Sequence, residues 1–247
     1  PIIVAENAAS LDWITDGNYV LGVGLGYRPE EFEALGVEFE QRVSRFEEAI
    51  PLIRRLWNED SVTHHGKHFK VGGLGASIKP KRAGGPPIWV GGDVIAAVKR
   101  AAKLNCPWIA PPTMTFQEIT ERVEVYKKTS AEISGSSVNE QPIIREVAIG
   151  KTKAEALRVA RPALLSKYES YASWGQTATK EQVSLSDTFD EFIKDRFIIG
   201  DEFEVADEVA RYKDSFGEGE FLVRIQWPGF AQSNVLESIE RLGKIII

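Results

Sequence analysis

Apolar runs bounded by glycine or proline alternate along the chain with segments of helical periodicity. In the first helical segment, apolar residues recur at intervals of three and four from Phe39 to Trp57. This alternation is typical of βα units built around a parallel sheet. The sequence therefore predicts an α/β protein with five core strands, each followed by a helix. The five runs are 19–26, 87–92, 106–110, 143–149 and 221–227.

Charge and composition exclude several classes of function. Acidic residues number 36 against 30 basic ones, so the net charge is −6 and no basic patch for nucleic acid or anionic lipid is expected. No apolar run reaches the ~18 residues that cross a bilayer. One cysteine and three histidines leave no internal disulfide and make a zinc cage implausible. We expect a cytoplasmic protein with no metal, no nucleic-acid partner and no membrane partner.

Local signals predict several helix boundaries. The order Thr115-Phe116-Gln117-Glu118 is a capping box that starts a helix running to about Ile133. Asp201 is expected to cap the helix that ends at Phe216, and Asp93 the helix over 94–104. Gly243 is expected to close the last helix, over 233–242.

The first residues already have the pattern of a helix interior. Ile3, Ala8, Leu11 and Ile14 are expected to line one face of that helix. We interpret the chain as starting partway through a longer fold.

Two glycine-rich strand ends are candidate sites. Gly22, Gly24 and Gly26 do not extend to a dinucleotide-binding G-x-G-x-x-G, and small residues there also allow close packing of a neighbouring strand. Gly91 and Gly92 lie between an apolar run and a helix N-terminus. Such backbone N–H groups bind phosphate, although a tight turn and a competing carboxylate at Asp93 are the alternatives.

Other reactive side chains have simpler interpretations. His64, His65 and His68 lie in a polar hairpin over 62–71, and a solvated turn is favoured over a metal site. Cys106 is interpreted as a packing residue rather than a nucleophile. Arg145 and Glu146 either orient a ligand at a strand end or form a structural ion pair, and the sequence does not separate these.

The ordered combination of several segments resembles the luciferase-like flavin-dependent oxidoreductases. The resemblance covers essentially the whole chain. It rests on the segments GVGLGYRPEEFEALGVEFEQRVSRFEEAIPLIRRLW, PPIWVGG, REVAIGKTKAEAL, FIIGDEFEVADEVARY, RIQWPGF and SIERLG. It implies a (β/α)₈ TIM barrel that uses FMN or coenzyme F420 for monooxygenation or hydride transfer on a small organic substrate.

The same resemblance implies a cofactor site. Leu25, Gly26 and Tyr27 would border the isoalloxazine ring and its ribityl chain. Gly91 and Gly92 would cradle the cofactor phosphate, with Asp93, Val94 and Ile95 at the helix behind it. The polar segment 175–187 would correspond to a mobile lid over the substrate. A flavin reductase and further copies of the chain are the expected protein partners, and no residue is convincing as a general acid or base.

The five predicted strands would be the fourth to eighth of such a barrel, in a single domain over 1–247 with the first three βα units absent. Gly92→Asp is then expected to abolish cofactor binding while leaving the fold intact. Two alternatives stay open. The chain could be a non-catalytic truncated fragment or subunit, or a barrel enzyme that binds a phosphorylated metabolite without flavin.

Overall fold

The computed structural model describes residues 1–134, 141–175, 185–217 and 219–246. The chain divides into two compact units, one formed by Pro1–Trp108 with Thr129–Gly135 and the other by Ile109–Lys128 with Ser136–Ile247. Each unit is described by itself. The single domain over 1–247 stays a prediction.

The first unit contains a parallel sheet, a separate hairpin and the helices that follow the strands. Strand β1 pairs in parallel with β4, with Val23 opposite Val90, and the sheet order is β1-β4-β5. The hairpin β2–β3 is antiparallel, as the sequence predicts. The elements are α1 (Ile2–Ile14), β1 (Leu21–Val23), α2 (Pro29–Ala34), a 3₁₀ turn (Phe39–Gln41), α3 (Arg42–Asn58), β2 (Val62–His65), β3 (Lys70–Leu74), β4 (Ile88–Gly91), α4 (Ile95–Lys103) and β5 (Trp108–Ile109).

Helix α1 is present as predicted, but its buried face is not the predicted one. Of the predicted residues only Ala8 is buried, together with Ala5 and Ala9, whereas Ile3 and Ile14 are 74% and 78% exposed. The small alanine side chains let α3 approach closely, and the Trp57 indole Nε1 donates to the Ala5 carbonyl at 2.9 Å. The close contact between α1 and α3 therefore buries the alanines rather than the larger apolar residues of α1.

The carboxyl end of α4 is held by an arginine from α3. The Arg54 guanidinium donates to the carbonyls of Leu104 at 2.5 Å and Asn105 at 2.8 Å, and to the Cys106 sulfur at 3.0 Å. Asn105 takes a positive φ of 50°, which ends the helix. Burial raises the pKa of the Cys106 thiol and the nearby Arg54 opposes that shift. A buried thiol with a raised pKa fits a packing residue.

The second unit is also built on parallel strands. Strand β6 lies between β7 and β8, with Val147 opposite Ile198 and Ile143 opposite Phe221. Its helices include the first part of α5, up to Lys128. The elements are α5 (Phe116–Ser134), β6 (Ile143–Ile149), α6 (Lys153–Ser173), α7 (Leu185–Ile193), β7 (Ile198–Gly200), α8 (Glu202–Phe216), β8 (Phe221–Arg224) and α9 (Gln232–Ile246).

All five predicted strands are present, but the described residues contain a sixth parallel strand. Strand β7 pairs with the last three residues of β6, beyond the stretch that pairs with β8. It has only three residues and runs directly into the helix that Asp201 caps. Such a short run gives no periodicity of its own, so the sequence analysis missed it.

The capping box at Thr115 and the cap at Asp201 were predicted correctly, and one helix end was not. The Glu118 N–H donates to the Thr115 hydroxyl at 3.2 Å and the Thr115 N–H to the Glu118 carboxylate at 2.6 Å. Asp201 forms the corresponding box with Glu204. Gly243, in contrast, lies inside α9, because the helix continues through the apolar residues that follow it.

Candidate functional site at the strand ends

The predicted cofactor residues lie at the carboxyl ends of two neighbouring strands. The parallel register of β1 and β4 brings Val23 and Val90 to the same level of the sheet. The segment 24–27 leaves this edge after β1, and the segment 91–95 continues from β4 into α4. Ligands of parallel α/β folds bind at this edge, because the loops that follow the strands gather there.

Gly92 is fixed between the strand end and α4. Its φ is 155°, and a Cβ on it would lie 2.5 Å from the Ala97 Cβ. The Trp108 indole Nε1 donates to its carbonyl at 2.7 Å, which anchors the loop on the other side. A larger residue therefore has no room at this position. The expectation that Gly92→Asp leaves the fold intact is wrong.

The N-terminus of α4 has the geometry of an anion site. Val94, rather than the predicted Asp93, occupies the N-cap position, and its side chain makes no capping hydrogen bond. Helix geometry leaves the N–H groups of Ile95 and Ala96 without intrahelical acceptors. The side chains of Val94 and Ile95 are about half exposed, at 47% and 45%. Helix N–H groups without intrahelical acceptors and the positive end of the helix dipole favour an anion.

The segment after β1 lies beside a cavity. Gly26 has a φ of 76°, and a Cβ there would lie 2.9 Å from the Phe32 ring. Leu25 lines a cavity of about 350 Å³, whereas Gly26 and Tyr27 are outside its lining. The Tyr27 side chain is 42% exposed. Of the three residues predicted to border the ring, the structure places one on a cavity wall.

Two arginines on α3, which the sequence analysis did not single out, line the same cavity. Arg42 stacks 3.7 Å from the centroid of the Phe39 ring, and Arg45 lies 5.0 Å above the Phe69 ring. They are three residues apart and so share one face of the helix. The three-residue spacing could have shown that both arginines lie on one face of α3. Periodicity alone could not show that this face lies beside the end of β1.

The histidines of the hairpin are held by α3. The His64 Nε2 lies 2.9 Å from a Glu48 carboxylate oxygen, and the His68 Nε2 lies 2.8 Å from the Ser44 hydroxyl. His65 is exposed. The prediction of a solvated turn is correct for His65 and wrong for the other two, which attach the hairpin to the helix. In the parts of the chain that the structure describes, no group of three His, Cys, Asp or Glu is arranged to hold a metal.

Glu48 is the centre of that attachment. It also accepts the backbone N–H groups of His68 and Phe69, each at 2.9 Å. Burial raises the pKa of its carboxyl, but the hydrogen bonds from His64 and the two N–H groups outweigh burial and lower it to about 2. The carboxylate is therefore ionised at neutral pH.

Arg145 and Glu146, in the second unit, are both fully buried and have separate partners. Arg145 donates to the Tyr212 hydroxyl at 3.0 Å and the Pro111 carbonyl at 2.9 Å. Glu146 faces the other side of β6 and accepts hydrogen bonds from four side chains, those of Lys167, Tyr168, Arg224 and Trp227. The interpretation as one ion pair between the two neighbours is therefore wrong.

The predicted lid, 175–187, lies mostly outside the described residues, which stop at 175 and resume at 185. Its role stays a prediction. Among the described helices, none is long and apolar enough to cross a membrane.

The family description "Luciferase-like monooxygenase" matches residues 1–219. The chain belongs to this family. Among curated relatives, a phthiodiolone/phenolphthiodiolone dimycocerosates ketoreductase of Mycobacterium kansasii is 34% identical over 111 residues, which are 44% of this chain and 30% of the relative. An FMNH₂-dependent dimethylsulfone monooxygenase of Pseudomonas fluorescens is 32% identical over 108 residues, 42% of this chain and 29% of that protein. The luciferase-like chain thus matches about a third of the length of these relatives.

Two solved structures share the fold of this chain. The monooxygenase RslO1 of Streptomyces bottropensis superposes with a TM-score of 0.84 at 18% identity, over 99% of this chain and 73% of the other. An F420-dependent secondary alcohol dehydrogenase, solved with an F420–acetone adduct, gives a TM-score of 0.75 at 18% identity, over 95% of this chain and 72% of that one. At these identities the comparison concerns the fold alone.

Proposed function

We propose that this chain is part of an oxidoreductase that uses FMN or coenzyme F420 to oxygenate, or to transfer hydride to or from, a small organic substrate. The observation that carries the proposal is the N-terminus of α4, in a chain of the luciferase-like family. Its N-cap side chain makes no capping bond, and it begins directly after Gly91 and Gly92 at a strand end. The FMNH₂-dependent relative and the F420-dependent structural neighbour support this pair of cofactors.

In this proposal each part of the first unit has a task. The backbone at Gly91 and Gly92 and the N–H groups of Ile95 and Ala96 bind the cofactor phosphate, with Asp93 and Val94 beside it. Leu25, Gly26 and Tyr27 border the ring and the ribityl chain. When bound, the cofactor supplies the redox chemistry, and the protein orients it and limits the access of water. A partner flavin reductase would supply reduced FMN if FMN is the cofactor.

We further propose that the five strands predicted from the sequence correspond to strands four to eight of a luciferase-like barrel. The overlap with 72% to 73% of the neighbouring structures is compatible with a partial barrel and does not identify its strands. Strand β7 would then be an addition beside β6.

Fluorescence titration of FMN and of F420 against the purified chain tests the proposal. Saturable binding of one cofactor is the expected result. If that cofactor is FMN, riboflavin is expected to compete only weakly because it lacks the phosphate. If neither cofactor binds, the proposal fails for this chain. If a phosphorylated sugar competes as well as the cofactor does, the phosphorylated-metabolite alternative replaces it.

A further inference from the structure

Strand β8 ends on an arginine that shares one buried carboxylate with a lysine. Glu146 has a side chain that is 1% exposed and forms ion pairs with both Lys167 and Arg224. Among the described residues, neither cation has a second acidic partner within ion-pair distance. The cluster therefore carries two positive charges against one negative charge. In a poorly hydrated environment such a surplus attracts an anion.

The carboxylate oxygen that both cations contact is already fully used. Besides the two cations the carboxylate accepts the Tyr168 hydroxyl at 2.8 Å and the Trp227 indole Nε1 at 2.5 Å. A carboxylate offers about four acceptor positions. The donors of Lys167, Tyr168 and Arg224 all converge on Oε1, more than the two positions of one oxygen, and the Trp227 indole is on Oε2. The remaining N–H groups of the Arg224 guanidinium therefore need an acceptor other than Oε1.

Arg224 is the member of the cluster that reaches the surface. Its side chain is 33% exposed, against 7% for Lys167. With the described residues its guanidinium makes one hydrogen bond, from Nη1 to Glu146 at 3.0 Å. It is the last residue of β8 and is the register partner of Glu146, so it lies at the carboxyl end of the strand, where ligands of parallel α/β folds bind.

We propose that Arg224 binds a singly charged oxyanion group of the substrate, a carboxylate or a sulfonate. Glu146 holds one edge of the guanidinium, and the remaining N–H groups form the planar fork that matches two oxygens of such a group. This inference names the substrate class of the proposed oxidoreductase and rests on that function. Binding of the oxyanion itself requires no cofactor.

Isothermal titration of the chain with sodium hexanoate, sodium hexane-1-sulfonate and 1-hexanol tests the proposal. Saturable binding is expected for at least one of the two anions, and the better of them identifies the preferred group. Arg224→Gln is expected to weaken that binding about tenfold or more, because a charge-assisted hydrogen bond is lost. Arg224→Lys is expected to restore part of it, since the charge remains but the fork does not. 1-Hexanol is expected to bind no better to the wild type than to Arg224→Gln.

Arg161→Gln is the matched control. Arg161, on α6 in the same unit, also has a 33% exposed side chain and an ion pair with one carboxylate, that of Asp190. Asp190 is exposed and not shared with a second cation, so loss of Arg161 is expected to leave anion binding unchanged. Thermal melts verify that both variants fold, and Glu146 keeps three of its four donors in Arg224→Gln.

Three outcomes overturn the inference. These are no anion binding by the wild type, equal binding by wild type and Arg224→Gln, and an equal loss in Arg161→Gln. FMN and F420 titrations on the same samples separate the two proposals. If the chain binds a cofactor but no anion, the proposed oxidoreductase function stands and only the proposed anionic substrate group is refuted.

Discussion

The side chain at position 94 offers a way to repel a phosphate without harming the fold. Val94 is the N-cap of α4, has an extended backbone (φ −83°, ψ 149°) and is 47% exposed. This is the conformation in which Asp and Asn cap helices. Val94→Asp is therefore expected to raise the free energy of unfolding, by about 0.5–2 kcal/mol. Val94→Asn, the neutral isostere, is expected to raise it by a similar amount.

The two variants should differ in cofactor binding. For an Asp carboxylate ~5 Å from a phosphate charge, Coulomb's law gives about 1 kcal/mol at the dielectric constant of water and about 3 kcal/mol at the value typical of a protein surface. Affinity for FMN or F420 should therefore fall about 5- to 150-fold in Val94→Asp relative to Val94→Asn. The difference in cofactor affinity between the two variants should decrease as the sodium chloride concentration is raised, because mobile ions screen a half-exposed charge.

Fluorescence titration of the bound cofactor at low and high salt measures the gap, and chemical denaturation of the same samples measures stability. The comparison of Asp with Asn removes the effect of the cap itself, since both side chains compete equally for the N–H groups. Equal affinities in the two variants would mean that no phosphate lies at the N-terminus of α4, and the assigned site would be wrong.

Three further changes test the packing described above. Glu146→Gln should lower the free energy of unfolding by about 3–5 kcal/mol, since it leaves the buried Lys167 ammonium without a counterion. Urea unfolding at pH 7 measures this, and a loss below about 1 kcal/mol would contradict it. The ionised Glu48 carboxylate, with a pKa lowered to about 2, should stabilise the fold by about 1–2 kcal/mol above its unfolded pKa of 4.5 and lose that contribution as the pH falls toward 2. In Glu48→Gln that part of the pH dependence of urea unfolding should disappear. Gly85→Ala should destabilise the protein more than Gly84→Ala. Both glycines have a positive φ, but only a Cβ at position 85 would meet the Trp57 ring, at 2.2 Å. Equal melting temperatures of the two variants would refute the clash.

Features encoded within a few residues could be predicted from the sequence. The capping boxes at Thr115 and Asp201 depend on side chains three residues apart, and five of the seven residues of strand β6 are apolar. The β1 and β4 strand ends were recognisable because glycines follow them. These signals require no knowledge of what packs against the element.

Features decided by distant partners could not be predicted. The buried face of α1 depends on Trp57, which is 52 residues away from its acceptor on Ala5. The Glu146 cluster joins side chains from β6, α6 and the end of β8, with separations of up to 81 residues. No local sequence spacing identifies these partners of Glu146. Arg145 and Glu146 are adjacent in sequence and suggested an ion pair, but successive side chains of a strand point to opposite faces of the sheet.

The contact between Arg54 and the end of α4 has a mechanical consequence. Helix α4 has nine residues and is about 14 Å long, and a helix this short transmits a shift along its axis almost without compression. The guanidinium at Leu104 therefore contributes, with the contacts that hold Gly92, to the position of Val94 along the helix axis. A substitution at Arg54 would thus change the position of the α4 N-terminus without altering any residue there.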